Sequence, residues 1–141
     1  MLLDSFIVSC VGDRPCMSYA PNAHFEFKNS QTGQNLLFGS GKIYDASLIK
    51  VYGLQGADTT FIPVFSGRNP SSDSVFIIDF SAQKFDTAYI KLTATDVDTL
   101  AMLYELHKGY GDCTDTYTID SISYNGANVP ISNKQTFVIQ K

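Results

Sequence analysis

Tryptophan is absent from the 141 residues, and histidine occurs only twice, at His24 and His107. Charge is sparse: 10 Lys and Arg with 14 Asp and Glu make 17% of the chain, against roughly 25% in an average soluble domain. The basic residues are scattered and the net charge is −4. Phosphate binding needs a concentrated basic surface, so nucleic acid is excluded as a partner. No apolar run approaches the ~20 residues that cross a bilayer as a helix, which excludes a transmembrane helix within these residues.

The same scarcity limits catalysis. A Ser-His-Asp hydrolase needs a base beside a nucleophile, and no G-x-S-x-G elbow is present. His24 and His107 both lie in strand-like segments with polar neighbours and read as sheet-surface histidines. Glycoside hydrolysis needs two facing carboxyl groups in a cleft, and the only glutamates are Glu26 and Glu105. The cysteines lack the paired short spacings of a zinc site. Cys113 sits between Asp112 and Asp115, whose charges raise a thiol pKa and make it a poor nucleophile. No enzyme activity and no cofactor are expected.

What the chain does have is 10 Phe and 8 Tyr, the side chains that pleated strands favour. In His24-Phe25-Glu26-Phe27-Lys28 the aromatics alternate with polar residues at the strand period. Comparable segments follow at 48–54, 60–65, 75–80, 88–95, 100–107, 116–124 and 136–140, with a short apolar run at 36–38, all separated by Gly, Asn, Asp, Ser or Pro clusters. In segment 100–107, Leu100, Leu103 and Leu106 trace a helical stripe, but Leu100, Met102, Tyr104 and Leu106 alternate equally well, and eight residues is short for a helix. Asn125-Gly126 is the pair that a two-residue hairpin turn prefers. The pattern predicts an all-β sandwich or barrel over 23–141. Residues 1–22 read as a signal remnant and tether.

Ile7-Val8-Ser9-Cys10 runs aliphatic, aliphatic, small, cysteine, which resembles a bacterial lipobox and marks Cys10 for lipidation. The segment departs from a whole signal in having no basic start, an interrupting Asp4 and few residues, which a start codon set too far downstream explains. An ordinary first strand or an expression remnant is the alternative. With Cys10 acylated, Cys16 and Cys113 remain as a pair that an oxidising compartment would bridge. Cys10–Cys16 pairing and three reduced thiols stay open.

Asp96 and Asp98, with Asp112 and Asp115 if their loops meet at one end of the sandwich, are the hard oxygen ligands that Ca²⁺ takes. The glycine and distal glutamate of an EF-hand are missing, and turn aspartates usually bond their own backbone, so no metal is expected. Tyr19, Tyr44 and Tyr110 lie in loop-like stretches where a ring can meet a partner. The loops 55–59, 66–74 and 109–115 are the expected contact surface at one end of the sandwich.

Further pieces follow the same β-and-turn order: Phe27-Lys28-Asn29, Gly33-Gln34-Asn35-Leu36-Leu37, Ile49-Lys50-Val51-Tyr52, Thr87-Ala88-Tyr89-Ile90-Lys91, Asp96-Val97-Asp98-Thr99, Tyr124-Asn125-Gly126 and Phe137-Val138-Ile139. This order resembles small cell-envelope lipoproteins of Bacteroidetes, a group without assigned function, and implies an all-β, two-sheet antiparallel sandwich, immunoglobulin-like or transthyretin-like, of about seven to nine strands. The resemblance implies a lipid-anchored protein in the envelope of a Gram-negative bacterium, at the outer membrane or a periplasmic face. It would act as a non-catalytic binding or interaction module, meeting the membrane through its anchor and a protein or glycan through its loops. It assigns no catalytic or ligand-binding residue. Two rivals belong to other classes: a small secreted hydrolase using His107 with a nearby carboxylate, and a fibre or adhesin subunit with an open sheet edge.

Overall fold

Phe25 and Phe27 are fully buried, while His24 and Lys28 beside them are half-exposed, so the alternation in β1 (Asn22–Lys28) points one face into a core. The computed structural model describes residues 15–16, 21–132 and 136–141. Nine further strands follow: β2 (Lys50–Gln55), β3 (Asp58–Ile62), β4 (Val64–Arg68), β5 (Ser74–Asp79), β6 (Thr87–Lys91), β7 (Val97–His107), β8 (Thr116–Tyr124), β9 (Ala127–Asn128) and β10 (Phe137–Gln140). They form a four-stranded sheet in the order β10-β1-β5-β4 and a six-stranded sheet in the order β3-β2-β6-β7-β8-β9. The described residues contain no α-helix, only a 3-10 turn at Ala46–Leu48, and no helix long and apolar enough to cross a membrane.

The architecture is the expected all-β, two-sheet sandwich. Pairing is antiparallel except between β1 and β10, which run parallel. Phe25, Phe27, Phe76, Ile78 and Ile139 from one sheet meet Val51, Ile90, Leu100, Met102 and Ile122 from the other. The Phe27 and Tyr124 rings touch edge to face across the gap, with centroids 6.2 Å apart. Burial of such side chains supplies the main driving force, roughly 1.5–3 kcal/mol each.

Three segments bear on local detail. Segment 60–65 is two strands, because Pro63 lacks the N–H that continues a ladder; β3 stays in the six-stranded sheet and β4 enters the other. Run 36–38 is buried at Leu36 and Leu37 but is not a strand. The Asn35 side-chain oxygen accepts from the N–H groups of Leu37 and Phe38 at 2.9 and 3.0 Å, which closes a turn. Segment 100–107 is a strand, as expected: Leu100, Met102 and Tyr104 face the core in plain alternation, and Leu103 lies on the outward side at 66% exposure.

Asn125 and Gly126 adopt φ of 47° and 83° and join β8 to β9, the left-handed pair that a type I′ hairpin requires. Cys16 and Cys113 are joined in a disulfide with Cα atoms 5.5 Å apart, which ties the chain before β1 to the β7–β8 loop.

Candidate functional site

Registers place one row of rings on the outward face of the six-stranded sheet. Tyr52 of β2 stands opposite Phe61 of β3 on one side and Tyr89 of β6 on the other. Their neighbours Val51, Ile62, Ala88 and Ile90 are buried, so at period two the three rings face out. Tyr52 and Tyr89 stack at 5.4 Å and 22°, and Tyr52 meets Phe61 at 6.3 Å and 68°. Lys50 Nζ lies 5.8 Å from the Phe61 centroid. Leu54, two residues along β2 from Tyr52, extends the patch, and Phe61 is 63% exposed. Each of Tyr52 and Tyr89 covers one face of the other, and Phe61 and Leu54 beside them add exposed apolar surface.

β3 is also one of the two end strands of its sheet. The two-residue turn Gly56-Ala57, with φ of 61° at Gly56, leaves Gln55 and Asp58 as the closing hydrogen-bonded pair. Alternation then makes Gly53–Thr60 and Val51–Ile62 the further bonded pairs, and the N–H and C=O of Thr59 and Phe61 point away from β2.

At the other end of the sheet a polar cluster closes the sandwich. Lys141 follows β10, and its Nζ lies 2.8 Å from Asp96 Oδ2 and 2.8 Å from Asp98 Oδ2. Tyr44 donates its hydroxyl to Asp96 Oδ2 at 2.9 Å, and Lys141 Nζ lies 5.3 Å from the Tyr44 ring centroid. Tyr124 donates its hydroxyl to Asp98 Oδ2, and Asn125 Nδ2 donates to Asp98 Oδ1 at 2.7 Å. Burial pushes the Asp98 carboxyl up, but the hydrogen bonds from Lys141, Tyr124 and Asn125 outweigh it and hold its pKa below the usual carboxylate value. Burial pulls the Lys141 ammonium down, and its bonds to Asp96, Asp98 and Tyr44 reverse this, leaving it raised. Burial and the carboxylate of Asp98 both push the Tyr124 phenol up, so it remains a donor.

This cluster corrects the calcium grouping. Asp96 precedes β7, while Asp112 and Asp115 follow it, and an 11-residue strand places the pairs on the order of 30 Å apart. Asp115 instead accepts from the Gly109 N–H at 2.9 Å, which together with Lys108 lowers its pKa. At Asp96 and Asp98 the ammonium of Lys141 is the counter-charge. Among the described residues no group of three or more His, Cys, Asp and Glu is placed to hold a metal.

The expected contact loops separate as well. The β2–β3 turn and the β7–β8 loop share the end that carries the disulfide. The β4–β5 tip lies beyond the Lys28 end of β1, beside Lys141, at the opposite end. His107 Nε2 contacts Thr118 Oγ1 at 2.8 Å on the paired strand β8. Tyr110 is exposed in the β7–β8 loop, whereas Tyr44 packs against the core. Cys10 and Tyr19 lie outside the described residues. A polar hollow of about 460 Å³ on the outer face of the four-stranded sheet is lined by Glu26, Lys28, Asp73 and Ser132, with Lys28 Nζ 3.3 Å from Glu26 Oε2. His24 and His107 line neither this hollow nor a smaller one of about 150 Å³ beside β9.

Sequence reasoning missed Lys141 and Tyr124 as partners of the aspartates. The signal was a lysine directly after an apolar strand, but nothing in spacing says that β10 pairs with β1 and so reaches Asp96. The chain matches no family model, no curated protein and no solved structure.

Proposed function

We propose that this chain is a non-catalytic interaction module of a Gram-negative cell envelope, held to a membrane by a lipid on Cys10. The observation that carries the reading is the outward face of the six-stranded sheet, where Phe61, Leu54, Tyr52 and Tyr89 form one apolar patch on a rigid scaffold. The Cys16–Cys113 bridge supports an oxidising compartment. Since Phe61 and Leu54 make the exposed part of the patch apolar, a protein partner fits better than a glycan.

Only five residues separate Cys10 from Cys16, a reach of at most about 20 Å. A lipid on Cys10 therefore keeps the disulfide end, with the β2–β3 turn and the β7–β8 loop, close to the membrane. The side of the sandwich, rather than that end, is the surface left for partners. The open edge of β3 favours a second reading, a subunit that accepts a strand.

The test has two readouts on protein recovered from native membranes. Intact mass should show cleavage before Cys10, added acyl chains and a gain of two hydrogens on reduction. A photoreactive side chain in place of Phe61 should form protein adducts, while one in place of exposed Thr32 should not. An unacylated chain overturns the anchor, and equal labelling from both sites overturns the interaction face.

A further inference from the structure

We propose that β3 is a self-complementary edge through which two copies of this chain pair antiparallel about a two-fold axis at Thr60. The inference rests on the reading of the chain as an interaction module and names its partner as a second copy.

Among the described residues nothing pairs with the outer edge of β3, and its interior carries none of the usual guards. Proteins protect edge strands with Lys, Pro, bulges or inward charges. The exposed side of β8 has such a device: opposite the register shift at Leu103 and Tyr104, β8 carries the extra residue Asp120 between Ile119 and Ser121. β4, one end strand of the other sheet, carries Gly67 and Arg68 in its five residues. The interior of β3 is Thr59-Thr60-Phe61, with no charge, glycine or proline, and its ring is 63% exposed. Threonine and phenylalanine are strand formers.

The free groups also match themselves. Thr59 and Phe61 carry the outward N–H and C=O groups, and no partner for them occurs among the described residues. A two-fold axis at Thr60 sets Thr59 of one copy against Phe61 of the other and repeats the pair by symmetry, forming four backbone hydrogen bonds. Asp58 falls opposite Ile62, so no like charges meet. On the outward face each Phe61 packs beside the other copy's Thr59, and the two rows of Phe61, Tyr52 and Tyr89 join into one surface. The interface is isologous and closes at two copies. Because the axis is perpendicular to the sheet, two copies anchored in one membrane lie with their six-stranded sheets parallel to it.

Sedimentation of the 141-residue chain from micromolar to millimolar concentration tests the pairing. Thr59→Pro removes an outward N–H and leaves the β2 ladder whole, so it should weaken dimerisation more than about tenfold while the circular dichroism spectrum is kept. In the dimer the two Thr60 Cα atoms form a non-hydrogen-bonded pair about 4.5 Å apart, within disulfide range. Thr60→Cys should therefore give a reducible dimer under mild oxidant well above the background of the parent chain, and Thr59→Cys should not. A chain that stays monomeric throughout overturns the pairing, as does a dimer indifferent to Thr59→Pro or one that cross-links equally through both cysteines. Adducts from the photoreactive residue at Phe61 to other proteins, with no self-pairing, would leave the interaction-module reading standing without this partner.

Discussion

Lys141 Nζ and Asp98 Oδ2 lie 2.8 Å apart and join the last strand of one sheet to the opening of β7 in the other. The lysine side chain is 19% exposed and the aspartate 9%, so this is a partly desolvated pair held by further donors rather than a surface contact. Lys141→Gln leaves Asp96 and Asp98 close together without their cation. The expected loss is roughly 1–3 kcal/mol of unfolding free energy, read as a lower urea midpoint at unchanged slope. The double variant with Asp98→Asn should recover part of it, because the uncompensated charge is then gone.

The pH dependence has two limbs. The folded pKa of Asp98 is depressed, so its contribution is present above the unfolded value near ~3.9 and is lost as pH falls through the folded value. Tyr104 is buried, which pushes its phenol up to about 12, and its hydroxyl donates to the Phe85 carbonyl oxygen at 2.5 Å. That contribution is present below the unfolded value near ~10 and is lost as pH rises through about 12. Urea midpoints measured across pH should therefore fall at both extremes. Asp98→Asn should flatten the acid limb, and Tyr104→Phe should weaken the alkaline limb while leaving the acid limb unchanged.

How far the sequence reached depends on how local each cause was. Phe25 and Phe27 alternate within five residues, and Asn125-Gly126 announces its own turn, so strands and hairpin were legible from short windows. Pro63 was equally visible, but an apolar run on both sides disguised a change of sheet as one strand. The aspartate grouping failed for a different reason. Whether Asp96 and Asp112 meet depends on the length and direction of β7, and which cation neutralises Asp96 depends on the parallel placement of β10 against β1. The ring row was visible only as three separate aromatics, since registers among β2, β3 and β6 align them.

The disulfide links residues 97 positions apart, closing a loop of about 100 residues. In the chain-entropy model that constraint on the unfolded chain contributes on the order of 4–5 kcal/mol. Cys16→Ser with Cys113→Ser should lower the denaturant midpoint strongly, and the parent chain should match the variant once reducing agent is added. A midpoint indifferent to reductant would mean that the bridge does not form in solution.

Gly53 is where the strand itself makes room for a neighbour. It faces inward from β2, and the Phe85 ring lies where its side chain would be: a Cβ there would be 2.3 Å from the ring carbons Cδ1 and Cε1. The absent side chain lets Phe85 cover the backbone and remain only 7% exposed, so the glycine is needed for close approach rather than for an unusual φ. Gly53→Ala forces the ring or the strand to move, at a cost of about 1–3 kcal/mol. Phe85→Leu should relieve the clash, since its smaller side chain vacates the ring position, and the double variant should be more stable than the sum of the single losses allows. Because Tyr104 donates to the carbonyl of Phe85, a displaced residue 85 should also shift the alkaline limb of the stability profile, which separates this cause from a general weakening of β2.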